Sequence, residues 1–192
     1  MSDSANGSRP WDIQAARSLY NIDRWGAKYF DINGAGHVVA TPLQEAGAAV
    51  ELSDVVEEAK ARGLKFPLLI RFQDILRHRV QSINEAFRGS IAEFNYQGKY
   101  RGVFPIKVNQ LREVVEEILD AGKPYNFGLE VGSKPELFAG LALQAEPDSF
   151  IICNGYKDPN FIRMALMGIK LGKKVIMVVE KLEELRQIAT SA

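Results

Sequence analysis

The sequence has a single cysteine, Cys153, and only two histidines, His37 and His78, among its 192 residues. One cysteine excludes an internal disulfide and is typical of a protein in a reducing, cytoplasmic setting. Neither histidine has metal-ligand spacing to the other, to the cysteine or to a pair of carboxylates. The sequence therefore predicts no metal site, and we expect both histidines at the surface.

The chain also lacks an excess of charge and a long apolar run. Its 24 Lys and Arg residues balance its 24 Asp and Glu residues, so no electrostatic argument favours binding of nucleic acid or of an anionic membrane. No apolar run approaches the ~20 residues that a membrane span needs. Residues 1–11 are predicted to be a disordered tail, and the polar residues 1–10 lack the apolar core of a signal peptide. With 46% hydrophobic residues, the rest of the chain can bury a core.

The segment 12–62 has the pattern of a small β-containing unit. Gly34, Ala35 and Gly36 lie between two short apolar stretches, which is a hairpin signal. Ser53 is a candidate N-cap for the helix that follows. The predicted elements are a helix Asp12–Tyr20, strands Lys28–Asn33 and His37–Thr41, and a helix Leu52–Arg62.

From residue 63 to residue 192 the pattern becomes a regular alternation of strand and helix, which predicts a parallel sheet. Five parallel strands can form part of a (β/α)8 barrel or a complete doubly wound sheet of the flavodoxin type. A doubly wound nucleotide-binding protein usually has a glycine-rich first turn, whereas the first turn here, RFQDIL, has no glycine. The predicted fold class is therefore α/β: a partial (β/α)8 TIM barrel with five of eight strands, preceded by a β-hairpin segment. The predicted strands are Pro67–Phe72, Tyr100–Val108, Phe127–Val131, Phe150–Cys153 and Lys174–Val179, and the helices are Asp74–Phe94, Arg112–Ala121, Ser133–Leu143, Asn160–Leu171 and Lys181–Ala189.

The second predicted strand, within YRGVFPIKVNQ (Tyr100–Gln110), contains a charged residue, Lys107. Strand side chains alternate between faces, so Lys107 is predicted to point into the sheet interior or barrel lumen while Val108 faces the helices. A partly desolvated lysine is more readily neutral, and a neutral amine is the nucleophile that condenses with an aldehyde. The alternative is that Lys107 extends to water, as many lysines near strand ends do.

Polar side chains also follow other predicted strands. Glu130 ends the third strand, and Asn109 and Asn154 lie at equivalent positions. The active sites of parallel barrels form at the carboxyl ends of their strands. Glu130 is therefore either a site residue or a solvated charge, and the two asparagines either hydrogen-bond near the site or turn the chain.

Four other features have structural explanations. Glu136 is a candidate site residue, but Ser133 three positions earlier makes a capping box sufficient to explain it. Cys153, between apolar neighbours, is predicted to be a buried structural thiol. The run Arg77-His78-Arg79 is predicted to be a solvated helix face, and Asp158 is predicted to cap the helix that follows it.

The segment around Lys107 resembles the cofactor-lysine segment of the biosynthetic arginine decarboxylases, which depend on pyridoxal 5'-phosphate. Three further stretches, in the same order, resemble that family: LYNIDRWGAKYFDINGAGHVVATP (Leu19–Pro42), FGLEVGSKPEL (Phe127–Leu137) and ICNGYKD (Ile152–Asp158). The resemblance implies that Lys107 binds the cofactor aldehyde and that Glu130 lies near the cofactor, and Asn154, from its strand-end position, is a further candidate for cofactor binding. It also implies a second, β-rich domain and a barrel that continues beyond this chain, so the sequence is expected to be an amino-terminal fragment.

The activity implied by the resemblance is conversion of L-arginine to agmatine and carbon dioxide for polyamine synthesis, in a cytoplasmic homo-oligomer described with a magnesium requirement. The family's glycine-rich phosphate loop, the carboxylate that pairs with the pyridine nitrogen and the acidic residues for the guanidinium are not found in this sequence. We therefore expect this chain alone to be inactive. The alternatives are a related diaminopimelate or ornithine decarboxylase and a non-enzymatic interaction module, and WGAKYFDINGAGH favours the arginine branch.

Overall fold

A computed structural model of the protein describes residues 11–44 and 47–192. The predicted tail therefore lies outside the described residues except for Trp11. The chain forms two compact units with the boundary between Ile75 and Leu76. Within the described part of the chain, no helix has both the length and the apolar character needed to span a membrane.

The first unit is built around a small antiparallel sheet in the order β1-β2-β3. The predicted hairpin is confirmed, and a short third strand that was not predicted pairs with its second strand. The predicted first helix is also confirmed, because the Asp12 carboxylate accepts a hydrogen bond from the N–H of Ala15 at 2.7 Å. The elements are helices α1 (Ile13–Tyr20), α2 (Ile22–Trp25) and α3 (Leu52–Ala61) and strands β1 (Phe30–Ile32), β2 (Val38–Ala40) and β3 (Val50–Glu51).

The prediction that Ser53 caps α3 is wrong. Strand β3 runs directly into the helix, so Glu51 is the N-cap residue and Ser53 lies in the first turn. The Glu51 carboxylate instead accepts hydrogen bonds from Asn33 and contacts His37 Nδ1, each at 2.6 Å. The hydrogen bond with His37 holds the pKa of Glu51 below its ordinary value. His37 itself lies at the surface, as predicted.

The second unit contains a four-stranded parallel sheet in the order β4-β5-β6-β7. Each strand is followed by a helix, so the predicted strand–helix alternation is confirmed for this part of the chain. The strands are β4 (Val103–Pro105), β5 (Gly128–Val131), β6 (Phe150–Cys153) and β7 (Lys174–Met177), and the helices are α4 (Gln73–Glu93), α5 (Arg112–Gly122), α6 (Lys134–Leu143), α7 (Pro159–Lys170) and α8 (Leu182–Ser191).

The predicted first strand, Pro67–Phe72, is wrong, so the sheet has four parallel strands rather than five. Among the described residues these six have no strand partner, and Leu69 is 76% exposed. A strand requires a hydrogen-bonded neighbour, and apolar composition alone does not supply one. Strand β4 is also shorter than predicted, because Pro105 cannot donate to the ladder and the chain turns into a 3-10 helix at Ile106–Val108.

The main core lies between one face of this sheet and helices α5, α6 and α7. Alternate strand residues point to this face, as the period-2 geometry of strands requires. Fully burying side chains of this size contributes about 1.5–3 kcal/mol each, so this layer holds the strand ends in place. Its buried members are Ile106, Val115, Leu129, Val131, Leu137, Ile151, Cys153, Phe161, Ala165 and Val175.

Helix α4 is joined to α5 by Arg77, the first residue of the predicted solvated face, whose side chain is 38% exposed. The Arg77 guanidinium contacts the Glu117 carboxylate and lies 2.5 Å from a carboxylate oxygen of Asp120. Hydrogen bonds from Lys123, which has the larger effect, and from Arg77 lower the pKa of Asp120 to about 2. The two helices therefore share a charged contact in addition to apolar packing around Val80.

Candidate active site

Lys107 lies just beyond the carboxyl end of β4, in the 3-10 helix rather than in the strand. Its side chain is exposed, so the predicted burial of this amine is wrong. The 3-10 turn breaks the strand alternation: Ile106 is 3% exposed and anchors the turn in the core, whereas Val108 is 71% exposed and does not face the helices. Among the described residues, the Lys107 amine has no hydrogen-bond or ion-pair partner.

Glu130 lies on the neighbouring strand β5, where its backbone pairs with that of Pro105. The residue is 6% exposed, which excludes the alternative of a solvated charge. Its sequence neighbours Leu129 and Val131 belong to the helix-facing core, so the Glu130 side chain points to the other face of the sheet. A carboxylate is thus buried on the sheet face that the helices do not cover.

Asn154, directly after β6, is the residue that contacts this carboxylate. Its Nδ2 donates to Glu130 Oε1 at 3.0 Å, and its backbone N–H donates to the carbonyl of Val131 at 2.9 Å. The second carboxylate oxygen of Glu130 has no donor among the described residues. The structure therefore brings Glu130 and Asn154 together, as candidate site residues on adjacent strands. Asn109, by contrast, turns the chain, since its Oδ1 accepts from the N–H of Leu111 at 3.1 Å.

The capping explanation for Glu136 is supported by the start of α6. Ser133 is the N-cap residue, and its side chain accepts from the N–H of Glu136 at 3.4 Å. The Glu136 carboxylate accepts from the N–H of Gly132 at 2.7 Å, rather than from the N–H of Ser133 as a reciprocal capping box requires. Asp158 caps α7 in the same way, as predicted.

Cys153 is a buried thiol, as predicted. Burial raises its pKa to about 12, although the nearby positive charge of Lys157 acts in the opposite direction. The thiol therefore stays protonated at neutral pH and does not act as a nucleophile.

A buried ion pair that was not predicted from the sequence lies beside this site. The Lys157 side chain is fully buried, with Nζ 3.9 Å from a carboxylate oxygen of Glu184, which is 4% exposed. Lys157 follows β6 by a few residues and Glu184 lies in the first turn of α8. A charged residue in a loop and a glutamate in a helix N-terminal turn are both ordinary surface features, so the sequence carried no signal for their burial.

The strand-end residues offer two chemical functions. An exposed, unpaired amine at Lys107 can reach and condense with an aldehyde. A buried carboxylate at Glu130, held by one amide, can accept a hydrogen bond or receive a positive charge from a ligand. No cluster of three or more His, Cys, Asp and Glu suitable for a metal ion occurs in residues 11–44 and 47–192.

Comparison with known protein families matches residues 80–192 to the model described as the pyridoxal binding domain of the pyridoxal-dependent decarboxylases. Among curated proteins, the chain is 47% identical over 184 residues to the biosynthetic arginine decarboxylase of Bacteroides thetaiotaomicron, and the match covers 96% of this chain and 29% of that protein. It is 42% identical over 190 residues to the enzyme of the same name from Prochlorococcus marinus, covering 99% of this chain and 29% of the relative.

Among solved structures, the crystal structure of the biosynthetic arginine decarboxylase from Campylobacter jejuni matches with a TM-score of 0.80 and 34% identity. The match covers 89% of this chain and 28% of that one. The chain thus spans about 29% of the length of the curated relatives that it matches.

Proposed function

Because this chain belongs to the pyridoxal-dependent decarboxylases, by the match of residues 80–192 to their pyridoxal binding domain, we propose that Lys107 is the residue that binds pyridoxal 5'-phosphate. The observation that carries the proposal is the state of this amine: exposed, at the carboxyl end of a parallel strand, and without a partner in the described part of the chain. An aldehyde can therefore reach it without displacing an existing contact.

The other strand-end residues fit the same group. Glu130 presents a buried carboxylate with one oxygen free of donors among the described residues. A buried carboxylate without a cation is costly, and a bound ligand with an N–H donor or a positive charge would offset that cost. Asn154 donates a hydrogen bond to the first carboxylate oxygen of Glu130. This hydrogen bond restricts rotation of the carboxylate and so fixes the direction of its second oxygen.

Pyridoxal phosphate, when bound, supplies the electron sink for the electron pair left on an α-carbon as carbon dioxide departs. The residues of this chain would contribute binding and orientation. Lys107 would hold the aldehyde carbon of the cofactor at the end of β4, and the hydrogen-bonded pair of Glu130 and Asn154 would offer polar groups to it from the two neighbouring strands. The core on the opposite face of β5 and β6, where Leu129 and Ile151 are completely buried, would keep these two side chains in place.

The proposed reaction of the whole protein is decarboxylation of L-arginine to agmatine and carbon dioxide. The proteins matched at 47% and 42% identity are both named biosynthetic arginine decarboxylases, which supports arginine over ornithine or diaminopimelate. A cytoplasmic homo-oligomer and a magnesium requirement belong to the same proposal and stem from the family resemblance alone.

For this chain by itself we propose cofactor capture without substantial catalysis. A closed barrel of this type has eight strands, whereas the described residues contain four parallel strands. The remaining strands of such a barrel, and most of the residues that would bind the cofactor, would have to come from a longer protein that contains this segment. A lysine without those residues supplies reactivity but little affinity.

Borohydride trapping tests the role of Lys107. The chain is incubated with pyridoxal phosphate, reduced, digested and analysed by mass spectrometry, in parallel with Lys107→Ala and with Lys99→Ala as the matched control. Lys99 is also an exposed lysine just outside β4. We expect the label on the peptide that contains Lys107, lost in Lys107→Ala and retained in Lys99→Ala. A label on another peptide in the unmodified chain would contradict the proposal.

A carbon dioxide release assay tests the proposed inactivity of this chain alone and the proposed substrate of the whole protein. We expect no substantial release from L-arginine by this chain alone, and Lys107-dependent release would contradict that expectation. For a longer protein that contains this segment, preference for L-ornithine or diaminopimelate over L-arginine would instead favour the related decarboxylases.

A further inference from the structure

The loops that follow β6 and β7 are tied together by a set of polar contacts around the buried Lys157 and Glu184, here called the loop clasp: Gly155, Lys157, Glu180 and Glu184. Lys157 Nζ donates to the carbonyl of Gly155 at 2.6 Å and lies 3.9 Å from Glu184 Oε2. Burying an ammonium group is costly unless it is paired and hydrogen-bonded. The clasp meets both conditions, so it is a built feature of the fold rather than an incidental surface contact.

Glu184 is the centre of the loop clasp. Its carboxylate accepts from the backbone N–H groups of Lys157 at 3.0 Å, Glu180 at 2.9 Å and Lys181 at 3.3 Å. Burial by itself raises the pKa of Glu184, but the N–H donors of Glu180 and Lys157 and the charge of Lys157 outweigh it and lower the pKa. The group is therefore held as a carboxylate at neutral pH.

The loop clasp is continuous with the candidate active site through Asn154. Gly155, the next residue, is held on both sides: its N–H donates to the Glu180 carboxylate at 3.1 Å, and its carbonyl accepts from Lys157. Gly155 also has φ +71° and packs against the backbone of Gly132, where an added Cβ would lie 2.8 Å from the carbonyl oxygen. Three successive loops thus meet at the residue that follows Asn154.

We propose that the Lys157–Glu184 pair is a positioning device that holds Asn154, and through it Glu130, in the orientation seen at the strand ends. Neither Lys157 nor Glu184 needs to touch substrate or cofactor for this role. That the held carboxylate serves a pyridoxal phosphate site rests on the proposed function, whereas the holding of Asn154 does not.

Lys157→Met tests the proposal in the 192-residue chain, since methionine fills the space of the lysine stem without its charge. Lys174→Met is the matched control, because Lys174 is an ion-paired but exposed lysine at the other end of the sheet. The readouts, taken well below the unfolding temperature, are hydrogen exchange of the Gly155 and Lys157 amides and the NMR signals of the Asn154 side-chain amide. A group that merely stabilises the fold would not shift these native-state signals.

We expect Lys157→Met to speed exchange at both amides about tenfold or more, as loss of one member of a buried pair predicts, and to shift the Asn154 signals. Lys174→Met should change neither. Unchanged signals, or the same acceleration at amides of Leu129 and Ile151 in the sheet, would overturn the proposal. Should Lys157→Met fail to fold, Glu184→Gln decides by the same criteria, because it removes the charge and keeps the shape.

Borohydride trapping on Lys107, run on the same variants, separates the two proposals. Absence of trapping in the unmodified chain contradicts the proposed function and leaves the Asn154 result valid. Trapping that is unchanged in Lys157→Met, despite shifted Asn154 signals, overturns the link between the loop clasp and the cofactor site.

Discussion

Replacing Glu130 by glutamine is expected to make the chain more stable while weakening its hold on pyridoxal phosphate. Glu130 is 6% exposed, and its one hydrogen bond comes from Asn154 at 3.0 Å. Its second oxygen has no donor in the part of the chain that the structure describes. Functional residues are commonly unfavourable for stability, because a site that awaits a ligand holds groups that the fold alone does not satisfy.

Two opposing terms determine the magnitude. Removing an incompletely hydrogen-bonded buried charge relieves a desolvation cost of about 2 kcal/mol. The glutamine oxygen can still accept from Asn154, but a neutral acceptor makes a weaker bond, which costs about 1 kcal/mol. The net expectation is a gain of about 1 kcal/mol in the free energy of unfolding. For a chain of this size, that gain corresponds to a rise of about 2–4 °C in Tm.

Urea unfolding followed by circular dichroism measures the effect, with Glu136→Gln as the matched control. The Glu136 carboxylate already has a good donor, the N–H of Gly132 at 2.7 Å, so neutralising it should give no gain. In the trapping assay, Glu130→Gln should incorporate less pyridoxal phosphate at Lys107 than the unmodified chain. A Glu130→Gln chain that unfolds more easily than its parent would refute the reasoning and identify Glu130 as a structural residue.

Substitutions at three further positions test the fold. Hydrogen bonds from Lys123 and Arg77 lower the pKa of Asp120 from its ordinary 3.8 to about 2. The ionised Asp120 therefore stabilises the fold at pH values above the pKa of the unfolded chain, and this stabilisation is lost as the pH falls through the pKa of the folded chain. Asp120→Asn should therefore flatten the loss of Tm between about pH 4 and pH 2, and an unchanged slope would argue against the contact. Gly128→Ala places a Cβ 2.0 Å from the carbonyl oxygen of Phe150 and should cost about 1–3 kcal/mol or more in a denaturant titration. Ser133→Ala should cost about 1 kcal/mol through loss of the α6 cap, and Ser133→Asn should restore it.

Local features of the fold were predictable from the sequence because neighbours in the chain determine them. The predicted caps at Ser133 and Asp158 accept hydrogen bonds from backbone N–H groups three residues further along the chain. The strand Phe150–Cys153 was predicted with its observed bounds, since a short apolar run between turn signals needs little else to be recognised. The error at Pro67–Phe72 has the same origin: its composition is that of a strand, but composition does not supply a pairing partner.

The candidate site was predictable in its membership and not in its contacts. Lys107 was identified as a charged residue within a predicted strand and by the family resemblance, and Glu130 and Asn154 were identified at predicted strand ends, where the active sites of parallel barrels form. The exposure of Lys107 was not predictable, because it depends on a 3-10 turn after Pro105 that ends the strand early.

The sequence by itself determined the strand–helix alternation and parallel sense of the main sheet, the caps at Ser133 and Asp158, and the family, all of which depend on periodicity or on motifs within a few residues. Only the tertiary structure decided that Asn154 holds the Glu130 carboxylate and that Lys157 is buried against Glu184. These pairs join residues more than twenty positions apart. Whether such a charge is buried depends on the chain folded around it, because its solvation is set by neighbours in space and not by neighbours in sequence.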